Sequence, residues 1–252
     1  MAPSIQNPSL FGNTQAAPLE PRAIQAICLD LDDTLWPIGP TIERAEQVLH
    51  HWLVAHAPMT AALFANPHAV RDIREQVMQR RPEIRHDLSA VRREAIRLGL
   101  YRAGENPLMA DEAFEAFFAE RQRVNLYPEA REGLEWLGQR YPLYALSNGN
   151  ADLDRVGLGG VFTAAFSARG LGFGKPDPRS FAAVAEAAGV PASAVLHVGD
   201  DVALDVVGAL QAGMPAVWLN RNDALWPFDA QQPTAMVSDL AQLCDLLGAS
   251  DA

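Results

Sequence analysis

The chain has 252 residues, a length that fits one domain with an insertion or two modest domains. Its 49% hydrophobic and 20% charged residues suit a soluble globular fold, and a net charge of −11 argues against a nucleic-acid or anionic-membrane surface. Two cysteines imply no disulfide framework and fit a reducing cytoplasm, and no apolar run is long enough to span a membrane. The charge is uneven. Residues 38–126 balance 12 Arg against 12 acids, whereas the remainder sets 8 basic residues against 19 acids. An acidic body with an arginine-rich insertion is implied.

Residues 1–22 contain Pro3, Pro8, Pro18 and Pro21 and lack a basic start with an apolar run, so they read as a flexible leader and not a signal peptide. Residues 23–29 are short, apolar and rich in β-formers, which predicts a buried parallel strand. Asp30, Asp32 and Asp33 follow within four residues. Unpaired charge is costly to bury, so these carboxylates belong in a cleft at the strand's exit, where ligands of open α/β sheets bind. An extended backbone points Asp30 and Asp32 to one side of the chain, and hard oxygen donors favour Mg²⁺. A loop of solvated acids capping the next turn is the other reading of this stretch taken alone.

Trp36-Pro37 and Gly39-Pro40 then break the backbone, and Thr41 is placed to cap a helix running to about residue 56. Further helices are expected over 67–80, 87–103 and 111–122. His50, His51 and His56 are badly spaced for a closed zinc site and read as helix-surface residues. Phe114, Phe117 and Phe118 recur at helical spacing and are expected to pack inside the insertion. Nine Arg lie between residues 71 and 102 against five acids, a solvated face from which one or two could instead meet an anionic substrate.

From Tyr127-Pro128 the pattern alternates. A helix over 129–140 leads to a strand over 142–146 ending in Ser147-Asn148-Gly149-Asn150. An apolar stretch over 162–166 and a glycine-rich loop over 170–174 precede Lys175-Pro176-Asp177-Pro178. A helix over 177–188 stops at Gly189, a strand over 194–198 ends in Gly199-Asp200-Asp201, and Asp205 follows. A helix over 203–212, a strand over 216–219 and a last αβ element complete a doubly wound, Rossmann-like parallel α/β sheet. Lys175 is the sole lysine beside 19 Arg, a compact ammonium suited to a point contact with phosphate and an acidic nucleophile.

Asp30-Leu-Asp-Asp-Thr-Leu, Leu146-Ser-Asn-Gly, Lys175-Pro-Asp-Pro and Val198-Gly-Asp-Asp with Asp205 resemble, in order, the four motifs of the haloacid dehalogenase superfamily. The resemblance spans about residues 23–247. It implies a core of residues 23–37 and 127–252, with 38–126 as an α-helical cap. It also implies Asp30 as nucleophile, Asp32 as general acid and base, and Ser147 with neighbouring N–H groups as phosphate holders. Asn148 and Thr34 fall in the same phosphate-binding motifs. Lys175 would neutralise charge, and Asp200 with the Asp30 side chain and the Asp32 carbonyl would bind Mg²⁺, supported by Asp205.

Dehalogenases of the superfamily lack the second aspartate, having no leaving alcohol to protonate, so Asp32 points to a phosphatase. Pro82-Glu-Ile-Arg-His-Asp-Leu-Ser, Ser147-Asn-Gly-Asn, Gly157-Leu-Gly and His197-Val-Gly-Asp-Asp resemble bacterial phosphatases acting on flavin mononucleotide and ribityl-aminouracil phosphate. That likeness makes Arg92 a contact for the substrate's polar tail and a small phosphomonoester the partner. The competing expectations are another nucleotide or sugar phosphate, a non-catalytic phospho-ligand binder, a receiver domain, which is about half this length, and a 2-haloacid dehalogenase.

Overall fold

The computed structural model describes residues 19–228 and 231–249, so residues 1–18 of the expected leader lie outside the described residues. Six strands, β1 (Ala26–Leu29), β2 (Leu143–Ser147), β3 (Ala164–Ser167), β4 (Val195–Gly199), β5 (Ala216–Leu219) and β6 (Ala235–Val237), form one sheet. All neighbours are parallel, in the order β3-β2-β1-β4-β5-β6. The α/β, doubly wound expectation holds.

Between β1 and β2 lie α1 (Ile38–His56), α2 (Pro58–Phe64), α3 (Pro67–Arg80), α4 (Leu88–Arg102) and α5 (Ala110–Arg121). The remaining helices are α6 (Ala130–Gly138), α7 (Ala168–Leu171), α8 (Pro178–Ala188), α9 (Gly208–Gln211) and α10 (Leu240–Gly248). Strand alternation divides the core. Ile27 and Leu29 pack with Leu134 and Leu137 of α6 and with Leu240 and Leu243 of α10. Ala26 and Cys28 pack on the opposite face with Phe181 and Val184 of α8 and Ala209 of α9. Both faces are therefore covered, which is why β1, β2, β4 and β5 are buried throughout and mostly apolar rather than alternating.

The inserted helices bury cores of their own. Leu49, Leu53, Ile96, Leu100, Phe114 and Phe117 form one, and Ile73, Val77, Val91 and Ala95 another. Much of the balanced charge of this segment lies on the bundle's solvated outer face, with buried Arg121 and mostly buried Arg92 as exceptions.

Local chemistry accounts for where the elements begin and end, including three departures from expectation. Helix α1 starts at Ile38, three residues before the expected cap Thr41, because the Ile38 N–H donates to Asp33 Oδ1 at 2.9 Å. Asp33 reaches that position in the left-handed region at φ 59°, which Asp tolerates better than most residues. Helix α2 was not anticipated; Pro58 sits in its first turn, where a missing N–H costs nothing. Asp87 and Asp177 cap α4 and α8, and Gly189 closes α8 at φ 68°. The expected helix over 203–212 opens as a π-helical turn, Val202–Val207, whose N–H groups at Ala203 and Leu204 are capped by Asp201.

Candidate active site

The sheet winds outward from β1 through β2 and β3, then returns to lay β4 on the other side of β1. A crevice opens at the carboxyl ends where the winding direction changes. The Asp30 N–H extends the ladder to Val198 O at 2.9 Å, carrying Asp30 to the mouth of that crevice. Lys175 Nζ, almost fully buried, donates to Asp30 Oδ1 and to Asp205 Oδ1, each at 2.5 Å. His197 lies behind them and meets Asp205 Oδ1 through Nε2 at 2.9 Å. The carboxylate only accepts, so Nε2 carries the proton. Asp205 Oδ2 accepts from the Asp201 N–H at 3.1 Å, and Thr34 Oγ1 donates to Asp200 Oδ1 at 3.2 Å.

Charge is out of balance here. Burial alone would lower the Lys175 pKa, but Asp205 and Asp30 outweigh it and hold the ammonium protonated, above its ordinary range. Burial also works against an ionised Asp205, yet Lys175 and the His197 hydrogen bond keep that carboxyl down at about 2. Burial keeps His197 neutral against the pull of Asp205. It pushes Asp30 up against the pull of Lys175, with Asp205 and Asp200 adding to the push. Asp200 is pushed up to about 7, by burial first and then by Asp205 and Asp33. Three carboxylates thus share one ammonium, and oxygen atoms of Asp30, Asp200 and Asp205 lie within 4.8 Å of one another. An all-oxygen, electron-rich pocket of that size fits a hard divalent cation such as Mg²⁺.

The loop at residues 170–174 has a local explanation. Asn148 clamps the backbone of Lys175 from both sides, its Oδ1 accepting the Lys175 N–H and its Nδ2 donating to Lys175 O, each at 2.8 Å. A Cβ on Gly174 would lie 2.3 Å from Asn148 Oδ1 and 2.9 Å from the Ala168 Cβ. Glycine is what lets the loop approach. Asn148 therefore positions the lysine, and its amide is already engaged. The buried Ser147 hydroxyl accepts from the Gly149 N–H at 2.9 Å and lines a cavity of about 420 Å³ between the sheet edge and the inserted helices.

Asp32 goes elsewhere. Its Oδ1 accepts from Trp36 Nε1 at 2.8 Å, and Arg121 Nη2 donates to both of its carboxylate oxygens at 2.7 Å. Of the four residues expected around a metal, the side chains of Asp30, Asp200 and Asp205 converge and that of Asp32 does not.

Arg92 is not brought to the cleft either. It pairs with Glu46 at 2.6 Å and stacks 3.6 Å above the Phe117 ring, so its guanidinium is spent inside the helical insertion. None of the nine arginines of residues 71–102 lines the cavity beside Ser147; seven of them hold Glu46, Glu83, Glu94, Asp111 and backbone or amide oxygens. Phe114, Phe117 and Phe118 all pack within the insertion as expected, and Phe118 also reaches the cavity wall. Sequence reasoning passed over Arg121, yet a signal existed. Residues 114, 117 and 121 fall on one helical face, and an arginine on a buried stripe needs a partner.

Residues 24–213 match the family model of haloacid dehalogenase-like hydrolases. The chain is 33% identical over 231 residues to the 5-amino-6-(5-phospho-D-ribitylamino)uracil phosphatase YigB of Escherichia coli, covering 89% of this chain and 96% of that protein. It is 40% identical to the phosphoserine phosphatase of Thermus thermophilus over a shorter stretch, 60% of this chain and 63% of that one. A crystal structure of 2-haloacid dehalogenase from Pseudomonas syringae pv. tomato superposes with a TM-score of 0.85 at 38% identity, over 91% of this chain and all of that one. With the Asp30–Lys175 pair at the sheet's switch point and further carboxylates beside it, the chain belongs to the haloacid dehalogenase-like hydrolases, as an enzyme of the phosphatase type.

Proposed function

We propose that the enzyme hydrolyses small phosphomonoesters through a phosphorylated Asp30, with Mg²⁺ held by Asp30, Asp200 and the Asp32 carbonyl and supported by Asp205. The observation that carries this reading is the parting of two neighbouring carboxylates. Asp30 faces Lys175 in the crevice, and Asp32 is held aside by Arg121 and Trp36. Two carboxylates in unlike surroundings suit unlike roles, a nucleophile and a proton carrier.

In the first step an Asp30 carboxylate oxygen bonds to phosphorus. The bond from phosphorus to the ester oxygen breaks, and the departing alcohol takes a proton from Asp32. In the second, Asp32 removes a proton from water as the water oxygen bonds to phosphorus. The acyl-phosphate bond then breaks, freeing inorganic phosphate and the Asp30 carboxylate. Lys175 offsets charge at the attacking oxygen, and the Ser147 hydroxyl with neighbouring N–H groups holds phosphoryl oxygens. A bound divalent cation would supply the remaining neutralisation of the phosphoryl group. Residues 38–126 serve as a cap over a core of residues 23–37 and 127–252.

Flavin mononucleotide and 5-amino-6-(5-phospho-D-ribitylamino)uracil are the favoured substrates. The cavity beside Ser147 supports that choice. Phe118, Phe162 and Phe166 offer it aromatic surface, and Asp152 and Asp154 offer acceptors for hydroxyl groups. Its arginine, Arg169, already faces Asp87 at 3.4 Å, so a substrate carboxylate finds no spare cation there. The likeness to a 2-haloacid dehalogenase does not displace the reading, because displacement of halide leaves Asp32 no alcohol to protonate.

The deciding measurement is phosphate release from both esters, phosphoserine and phosphoglycolate, with Mg²⁺ and with EDTA, beside halide release from 2-chloropropionate. We expect Mg²⁺-dependent turnover, highest on the two flavin-related esters. Turnover untouched by chelation would remove the cation, and halide release without phosphate release would remove the phosphatase.

A further inference from the structure

Arg121 is the last residue of α5, and its side chain is 1% exposed. Nη2 reaches both oxygens of Asp32 at 2.7 Å, and Nε donates to Asn150 Oδ1 at 2.8 Å. Asn150 is fixed in turn, its Nδ2 donating to Ser89 Oγ at 3.0 Å at the start of α4. Gln122, the next residue along the chain, accepts the Asp152 N–H at 2.8 Å and donates to Asn150 O at 3.3 Å. One turn of helix from the insertion therefore grips the loop after β2 and the carboxylate of Asp32 together. The approach is close enough to dictate a neighbour. A Cβ on Gly149 would lie 2.3 Å from Asp32 Oδ2 and 3.4 Å from Arg121 Nη2. Arg121 Nη1 is buried without an acceptor, so the guanidinium is oriented for Asp32 at the expense of its own satisfaction.

We infer that Arg121 is the positioning residue of the acid–base step: the helical insertion, and not the core, aims Asp32 at the leaving oxygen. The inference rests on the phosphatase reading. Trp36 supplies a single hydrogen bond to one oxygen, which leaves the carboxylate free to turn about that contact. The contact of Arg121 with both oxygens removes that freedom. An ammonium at this place would keep the charge and lose the planar geometry.

The test exploits leaving groups. p-Nitrophenolate departs without protonation, whereas an alkoxide such as that of a ribityl or glycerol phosphate does not. Arg121→Ala should lower kcat/KM on the alkyl ester by about 10²-fold, the scale of one general acid, and on p-nitrophenyl phosphate by no more than about 3-fold. Asp32→Asn should show the same selectivity, and adding Arg121→Ala to it should cost nothing further. Arg121→Lys, which keeps the buried charge and protects folding, should fall between wild type and Arg121→Ala on the alkyl ester. Equal losses on both esters in the folded Arg121 variants, or no loss on either, would overturn the assignment while Asp32→Asn stays selective. A non-selective Asp32→Asn would overturn the acid–base reading, and this inference with it.

Discussion

Asp30 and Asp32 stand two residues apart and take their cations from different parts of the molecule. Lys175, which holds Asp30, follows a loop of the sheet domain and is clamped there by Asn148. Arg121, which holds Asp32, ends a helix of the insertion. The first pair is complete whenever the sheet is folded; the second exists only while the insertion sits where it does. On the proposed mechanism, phosphoryl capture and proton transfer are assembled by separate bodies of structure. Asp30 can then meet Lys175 in any state, while transfer of the phosphoryl group from an alkyl ester waits for the insertion, because that same step needs the proton of Asp32.

The sharpest break in that comparison is removal of the proposed nucleophile. Asp30→Asn keeps the shape at the mouth of β1 and cannot attack phosphorus, so phosphate release should fall on the order of 10³-fold or more. Loss should be equal on aryl and alkyl esters, unlike the pattern expected for Asp32 and Arg121. Phosphate release near the wild-type rate by a folded protein, checked by mass for deamidation, would end the assignment.

A smaller effect separates the charge of the Asp30 side from that of the Asp32 side. Asp200 is pushed up to about 7 in the fold, against an ordinary carboxylate value near 4 in the unfolded chain. Between those values the unfolded chain has released its proton and the fold retains it, so rising pH destabilises the metal-free protein through this window. A divalent cation wants the ionised form and removes the penalty. Mg²⁺ should therefore raise the melting temperature more at pH 8 than at pH 5.5. Discounted for partial exposure, the difference is about 1 kcal/mol, or roughly 2–4 °C. A thermal shift equal at both pH values would place the cation away from Asp200.

The core was readable in the sequence because buried parallel strands are apolar runs with polar ends, and parallel topology sends those ends to one edge. That topology places Asp30 and Asp200, distant in the chain, at one crevice; Lys175 is added from a loop as the sole lysine, and Asp205 by the family resemblance. It also explains why Asn148 was placed near the site but given a phosphate to hold. A motif gives the neighbourhood, and only the loop's path shows that both ends of the amide are spent on Lys175. The insertion was less legible. Its helices could be drawn from periodicity, but which arginine meets the core depends on how helices pack. Arg92 and Arg121 differ in nothing that composition reveals; one finds Glu46 beside it in the bundle and the other finds Asp32 across the cleft.

Those two arginines also furnish the last and smallest test. The sequence made Arg92 the substrate's contact, and its geometry makes it a brace between α1 and α5. It salt-bridges Glu46 of α1 at 2.6 Å and lies over the ring of Phe117 on α5 at 3.6 Å. Burial lowers its pKa to about 10 despite the pull of Glu46, still far above the working range, so the charge persists. Glu46 retains Arg74 at 3.3 Å when Arg92 is removed, which limits the damage. Arg92→Ala should therefore cost about 1–2 kcal/mol through lost stacking and packing, a fall of roughly 2–8 °C in melting temperature. The ratio of kcat/KM on flavin mononucleotide to that on p-nitrophenyl phosphate should not change. A selective loss on flavin mononucleotide would mean that Arg92 leaves Glu46 when substrate arrives, and would return it to the cleft.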